Sequence, residues 1–353
     1  MATIFGVLGL NDNDYVSAAD QRRVFDTINE YAARTEAEIN AAFSVFVERD
    51  TTDYTATYYL PSGGMMQESA ERTRPGAVKP VGTWDVAFPL RDARDQLAWT
   101  DISRAYMTAA KFGAQVKGIA NRYLNWKRFH LLKALLNSTN ETFVDPIHGS
   151  LTIRRLANGS GDSVVYPPVI GSATEATDNH YIETNYAGSS ISDTNNPFRD
   201  FVKPELSEHF GQGRYVAWIN SAQTAKVSGL ATFDAVKPDW VTPGVATDIA
   251  NADGVSGPGQ FIGAVTGVAI FEWNWIPDGY ILGLNIDAPK PLERRVDPID
   301  SLRGFKLVAE QQEYPLNESF WRAREGYGVS NRLNGVVLEL GTGGTYTNPT
   351  AYA

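Results

Sequence analysis

Between Asp101 and Asn137 the chain runs for 37 residues (101 through 137) without a proline. Apolar side chains recur there at three- and four-residue spacing: Ile102, Tyr106, Ala109, Val116, Ile119, Ala120 and Tyr123, then Trp126, Phe129, Leu132 and Leu136. That spacing predicts one amphipathic helix, opened by Thr100 or Asp101. It would extend about 55 Å, much longer than an average globular helix. Gly113 and Gly118 each weaken it by about 1 kcal/mol relative to alanine. Arg104, Lys111, Lys117, Arg122, Lys127, Arg128 and Lys133 stand against Asp101 alone, seven bases less one acid, a net +6. Such a helix either pairs with acids of its own chain or faces a polyanion.

The segments before it suggest where acids come from. Residues 18–46 carry Val24, Phe25, Ile28, Tyr31, Ala32, Ile39 and Phe43 at helical spacing. From Asp12 to Asp50 there are nine acids against four arginines, which makes the polar side of that helix acidic. Two β-rich runs follow, Tyr54–Leu60 and Thr83–Leu90, the second with strict alternation. The polar connection between them holds turn residues at Pro61-Ser-Gly-Gly64 and Arg72-Thr-Arg-Pro-Gly76. Connections beyond about 12–15 residues are usually functional, and an isolated hairpin is marginal in water, so this one needs a surface to lie on.

After the long helix, residues 142–160 predict a hairpin turning near His148-Gly149, and 157–196 an elaborated loop region. A helix is expected from Asn196 to Phe210 with a break or restart at Pro204, a buried strand at 214–219 and a helix at 221–230. Residues 242–260 form another loop. Strands are expected at 262–273, 279–286, 305–314, 320–328 and 333–340, with a proline-rich loop at 288–304.

Composition narrows the function. A chain of 353 residues with 43% hydrophobic and 20% charged residues is globular and expected to hold two domains or one with large excursions. The formal net charge of -10 (Lys+Arg 31, Asp+Glu 41) argues against a coat wrapped tightly on nucleic acid. There is no cysteine, hence no disulfide, thiolate metal site or cysteine nucleophile. The apolar start, residues 1–10, lacks the basic region of a signal peptide, and no apolar run approaches the roughly 20 residues of a membrane span. His130, His148, His180 and His209 show no metal-ligand spacing and fall in different elements. No phosphate loop, nucleophile elbow or zincin motif appears. Acid pairs such as Glu310/Glu313 fit the exposed side of a strand. No catalytic, cofactor or metal residue is expected.

Three passages carry a resemblance to a known family. They are Gly82-Thr-Trp-Asp-Val-Ala-Phe-Pro-Leu90, the run Gly263-Ala-Val-Thr-Gly267-Val-Ala-Ile270 with Trp273-Asn-Trp-Ile-Pro-Asp-Gly-Tyr280, and Arg324-Glu-Gly-Tyr-Gly328-Val-Ser-Asn331-Arg332-Leu-Asn-Gly335. In order and spacing the chain resembles tailed-bacteriophage major capsid proteins of the Hong Kong 97 fold, with Ala269 where the family usually has proline. The resemblance implies an α+β fold with an N-terminal arm (1–45) and an extended β-hairpin loop (46–98). A peripheral domain follows (99–160, with a spine helix at 101–137), then a mainly axial domain (161–304) and a return to the periphery with a C-terminal tail (305–353). It implies a shell subunit whose chief partner is itself, as pentamers and hexamers, with a portal protein, separate scaffold and decoration proteins, and packaged double-stranded DNA as further partners. No membrane and no cofactor is involved. On the resemblance, a layout that starts without a large cleavable segment before the arm implies either a separate scaffold protein or none.

On that reading the candidates for contact between subunits are Tyr58, Arg72, Arg74, Lys79, Trp84 and Phe88. Lys79 is the only lysine in residues 46–98 and so the one candidate donor there for the lysine–asparagine crosslinks some relatives form. The competing expectations are an encapsulin-like nanocompartment of the same fold and a secreted carbohydrate-active protein, suggested by 8 Trp, 16 Tyr and acidic charge.

Overall fold

The computed structural model describes residues 15, 21–59, 71, 83–159, 164–172, 177–186, 190–235, 258–313 and 316–353. Arg72, Arg74 and Lys79 lie outside the described residues. In chain order the elements are α1 (Gln21–Phe43), β1 (Val47–Thr51), β2 (Thr55–Tyr59), β3 (Thr83–Ala87), β4 (Arg91–Thr100), α2 (Asp101–Ala105), α3 (Ala109–Leu136), β5 (Glu141–Asp145), β6 (Gly149–Ile153) and β7 (Tyr181–Glu183). A π-helical turn, Phe198–Val202, runs into α4 (Lys203–Glu208). Then come β8 (Tyr215–Ile219), α5 (Ser221–Ser228), β9 (Phe233–Ala235), β10 (Gln260–Val265), β11 (Val268–Glu272), β12 (Tyr280–Asn285), β13 (Leu292–Val296), β14 (Lys306–Glu313), β15 (Leu316–Val329) and β16 (Val336–Glu339).

The chain forms two compact units, one of Met1–Ala42, Leu90–His130 and Arg295–Gly326, the other of Phe43–Pro89, Leu131–Arg294 and Tyr327–Ala353. In the first, β15 pairs antiparallel with β14 from Leu316 to Arg322 and with β4 from Leu316 to Glu325. Helix α1 buries Val24, Ile28, Ala32 and Ile39 at the spacing its sequence showed. Its polar residues reach the next layer: Asn29 accepts from the Leu307 amide (3.1 Å) and Glu36 from the Phe305 amide (3.0 Å). Tyr123 of α3 stacks on Phe305 at 4.5 Å, and Phe305 on Trp321.

The second unit is built on a seven-stranded sheet in the order β7-β16-β12-β8-β11-β10-β9. Central β8, Tyr-Val-Ala-Trp-Ile, is buried at all five positions, as expected of a strand covered on both faces. Its pairing is parallel with β11 and antiparallel with β12. The π-helical turn and α4 supply Phe198, Val202 and Leu206 to the core over this sheet. Gly283 makes that approach possible: a Cβ there would lie 2.9 Å from Val202 Cγ1 and from Val336 Cγ1. The β10–β11 turn is the two-residue Thr266-Gly267, both at positive φ (50° and 85°), as a type I′ hairpin requires.

Four expectations are corrected. The helix of 101–137 is two helices. Thr100 caps α2 through the Ser103 amide, and Thr108 recaps the chain by accepting from the Lys111 amide (3.4 Å). Met107, between them, is buried, whereas Ile102 and Tyr106 are 73% and 70% exposed and leave the apolar stripe. Pro204 marks the restart expected there: it stands in the first turn of α4, where an early helical position needs no amide. Residues 260–272 are a hairpin and not one strand. The loop expected at 288–304 contains β13, and the segment before the long helix contains the ten-residue β4.

Candidate functional site

The described candidates from the hairpin, Tyr58, Trp84 and Phe88, all sit in the second unit. Strands β2 and β3 pair antiparallel with Tyr58 opposite Trp84, their rings stacked at 5.8 Å. The Trp84 indole N–H donates to the Ser330 carbonyl (3.3 Å), and its ring packs 5.7 Å from Tyr166. The Tyr58 hydroxyl donates to Glu293 Oε1 (2.9 Å), a buried carboxylate that Arg49 also meets at 3.3 Å. Burial, then the Glu293 charge, pushes the Tyr58 phenol up to about 12. Phe88 is wholly buried, and its backbone N–H donates to the Tyr54 carbonyl. Gly328 is required beneath it, since a Cβ there would lie 2.6 Å from Phe88 Cδ1 and 2.9 Å from the Ala87 oxygen. Trp84 and Phe88 are therefore core of their own unit, holding the hairpin at its root.

The Asn331-Arg332 passage proves to be the clamp under that root. The buried Arg332 guanidinium donates through Nε to the Arg155 carbonyl (2.6 Å), through Nη2 to the Leu156 carbonyl (3.2 Å), and to the Tyr166 hydroxyl. Asn334 donates to the Asn285 and Pro289 carbonyls and accepts from the Asn285 amide. A buried guanidinium needs all its donors answered, which explains the polar run in an apolar place.

Sequence reasoning missed a second set. Val144 and Ile147, on the β5–β6 hairpin, are 72% and 82% exposed, and Ile170 is exposed as well. In the first unit Ile102 and Tyr106 are exposed neighbours. Large apolar side chains grouped on a surface mark contact sites more often than chance exposure does.

A third set was missed outright. Asp178 and His180, just before β7, meet Glu208 and His209 at the end of α4. Both His180 Nε2 (2.8 Å) and His209 Nε2 (2.9 Å) converge on Asp178 Oδ2, and His209 Nε2 lies 3.6 Å from Glu208 Oε1. The four ligand-type atoms lie within 4.8 Å of one another. Burial works to raise the Asp178 pKa, but hydrogen bonds from the two imidazoles outweigh it and hold that carboxyl well below the usual range. Burial, then the Asp178 charge, pushes Glu205 and Glu208 each to about 7. The only hint in the sequence is two short dyads, Asp178-x-His180 and Glu208-His209, too far apart for a motif.

Three of the seven bases in 101–137 meet acids inside the first unit. Lys127 pairs with Glu325 (2.9 Å), Arg122 with Asp95 (2.5 Å) and Arg104 with Glu310 (3.7 Å). Among the described residues no helix is long and apolar enough to cross a membrane.

No protein-family model and no curated protein sequence matches the chain. Solved structures do. One from Mycobacterium phage Patience superposes with a TM-score of 0.65 at 19% identity, over 97% of this chain and 94% of that one. The capsid of a native GTA particle gives 0.51 at 11% identity, over 85% and 90%. The mature capsid of bacteriophage PhiM1 gives 0.50 at 9% identity, over 84% and 86%. The fold is that of phage capsid proteins. At these identities the likeness speaks for the fold, and the hairpin root, clamp and exposed apolar side chains are features of this chain in its own right.

Proposed function

We propose that the chain is a major capsid protein, a structural and non-catalytic subunit that assembles with copies of itself into the icosahedral head shell of a tailed phage. The observation that carries this reading is the match to a phage Patience structure along nearly the whole of both chains, with the GTA and PhiM1 capsids sharing the fold. The exposed Val144, Ile147, Ile102 and Tyr106 fit a subunit completed by its neighbours. So does a hairpin anchored firmly at its root by Tyr58, Trp84 and Phe88: residues 46–98 act as the extended loop over an adjacent subunit, with Arg72, Arg74 and Lys79 toward that neighbour. Residues 1–45 are the arm, 99–160 and 305–353 the periphery, and 161–304 mainly the axial part that meets around five- and six-fold centres. The shell encloses double-stranded DNA, faced non-specifically by an acidic coat, and works with a portal protein and separate scaffold and decoration proteins. Assembly takes place in the host cytoplasm and the product is the virion head.

Negative-stain microscopy and sedimentation of the expressed full chain test it. Closed icosahedral shells are expected, and their loss without unfolding when residues 61–81 are replaced by Asn-Gly. Compact monomers at high concentration would sink the proposal. Small shells loaded with a foreign enzyme would move it to a nanocompartment.

A further inference from the structure

The Asp178–His180–Glu208–His209 cluster has more to do than hold a loop. His180 is fully buried, and its Nδ1 has no hydrogen-bond partner among the described residues. Any protonation state of the ring therefore leaves one buried polar atom unanswered, a penalty that proteins seldom keep without a use. Glu208 Oε1, buried and 3.6 Å from His209 Nε2, likewise lacks a hydrogen-bond partner among the described residues. The Glu208 oxygen is thus an unanswered acceptor inside the group, while His180 meets the group through Nε2, the ring nitrogen on the other side from Nδ1.

We propose that Asp178, His180, Glu208 and His209 form a binding site for a divalent transition cation of the zinc class, one ligand atom from each residue. Geometry supports it. Four-coordinate zinc with bonds of about 2.0–2.2 Å holds its ligand atoms about 3.3–3.6 Å apart. The His209–Glu208 separation of 3.6 Å matches that edge, and the two His–Asp178 separations of 2.8 and 2.9 Å fall about 0.5 Å short of it, so small side-chain movements open the site. Two imidazoles with two carboxylates suit zinc and its neighbours, whereas calcium and magnesium select all-oxygen sets. The charge balance agrees: two carboxylates facing two neutral imidazoles offer a net negative donor set that a divalent cation offsets.

The consequence lies under the hairpin. The His180 amide donates to the Ala157 carbonyl (2.9 Å), and Ala157 with Phe210, which follows His209, belongs to the apolar cluster around Trp84 and Phe88. An ion at this site pins the end of α4 to the segment entering β7 and stiffens the platform that carries the hairpin.

The test uses the full chain stripped with chelator, then titrated with Co²⁺, followed by its visible spectrum, and with Zn²⁺ by calorimetry. One ion per chain is expected, with a four-coordinate cobalt spectrum. His209→Ala and Glu208→Gln should each weaken binding by at least about tenfold, as loss of a ligand must when outer-shell partners alone cost 10–100-fold. His148→Ala, whose ring stacks on Tyr54 away from the cluster, should change nothing. If circular dichroism shows His209→Ala unfolded, the near-isosteric Glu208→Gln decides. Absence of saturable binding to the stripped wild-type chain, or binding that survives Glu208→Gln, overturns the proposal. Loss of binding in His148→Ala does so too.

Discussion

Replacing Lys127 by methionine tests how the first unit is held together. The Lys127 and Glu325 side chains are 0% and 2% exposed, joined at 2.9 Å. The Tyr123 hydroxyl donates to the other Glu325 oxygen (2.9 Å), and the ammonium also reaches Tyr123 (3.2 Å) and Asn40. Removing one member leaves the other charge buried and alone, which costs about 3–5 kcal/mol. Lys127→Met and Glu325→Leu should each lose that much. The double substitution removes both charges and is left mainly with the orphaned Tyr123 hydroxyl and Asn40 amide, about 1–3 kcal/mol each. The singles then sum to about 6–10 kcal/mol against about 2–6 for the double, a coupling of several kcal/mol. Adding Tyr123→Phe recovers part of the remainder. Urea unfolding of unassembled subunits, followed by tryptophan fluorescence, reads this directly, because Trp321 packs on Phe305, which stacks on Tyr123. If the two single costs add to the double within about 0.5 kcal/mol, the groups are not coupled and the reasoning fails.

Further outcomes follow from the hairpin and the surface. Gly328→Ala should cost about 1–3 kcal/mol in thermal unfolding, since Phe88 and the Ala87 carbonyl have no room to yield; a neutral result would mean the root is loosely packed. Tyr58→Phe removes a hydrogen bond to a buried carboxylate, worth about 1.5–3 kcal/mol, measured by urea midpoint. Because folding raises the Tyr58 pKa from 10.0 to about 12, the phenol favours the folded state below pH 10, and that contribution is lost as pH climbs through about 12. Tyrosinate absorbance should accordingly show one fewer phenol titrating near 12 in Tyr58→Phe. Ile147→Asp should leave subunit stability within about 0.5 kcal/mol while lowering shell yield, scored by sedimentation; unchanged yield removes that residue from the contact surface.

What the sequence disclosed and what it hid divide along the range of the interactions concerned. Periodicity placed α1, the hairpin strands, β8 and the closing strands, because each announces itself within a few residues. It could not see the break at 106–108: the three-and-four pattern runs on through Tyr106, while the decision belongs to Thr100 and Thr108 as caps and to Met107 as the residue taken into the core. Strand β13, Leu-Glu-Arg-Arg-Val, was masked by its charges and flanking prolines, yet Glu293 and Arg295 are buried. Strand β4 alternates between exposed positions and less exposed ones ending at buried Trp99, but Arg91 and Asp95 share that inner face with Ala93, Leu97 and Trp99 and blur its apolar signal. The same reasoning governs the basic helix. Seven bases within 37 residues invite a polyanion only while their partners are out of view, and those partners arrive from far along the chain, Glu325 198 residues after Lys127. The histidines make the point in reverse. Read one by one they have no companion, and only the meeting of α4 with the segment before β7 turns two unremarkable dyads into one half-buried group. A local pattern fixes where backbone goes; which charges meet is decided by topology, and that is where this chain keeps its chemistry.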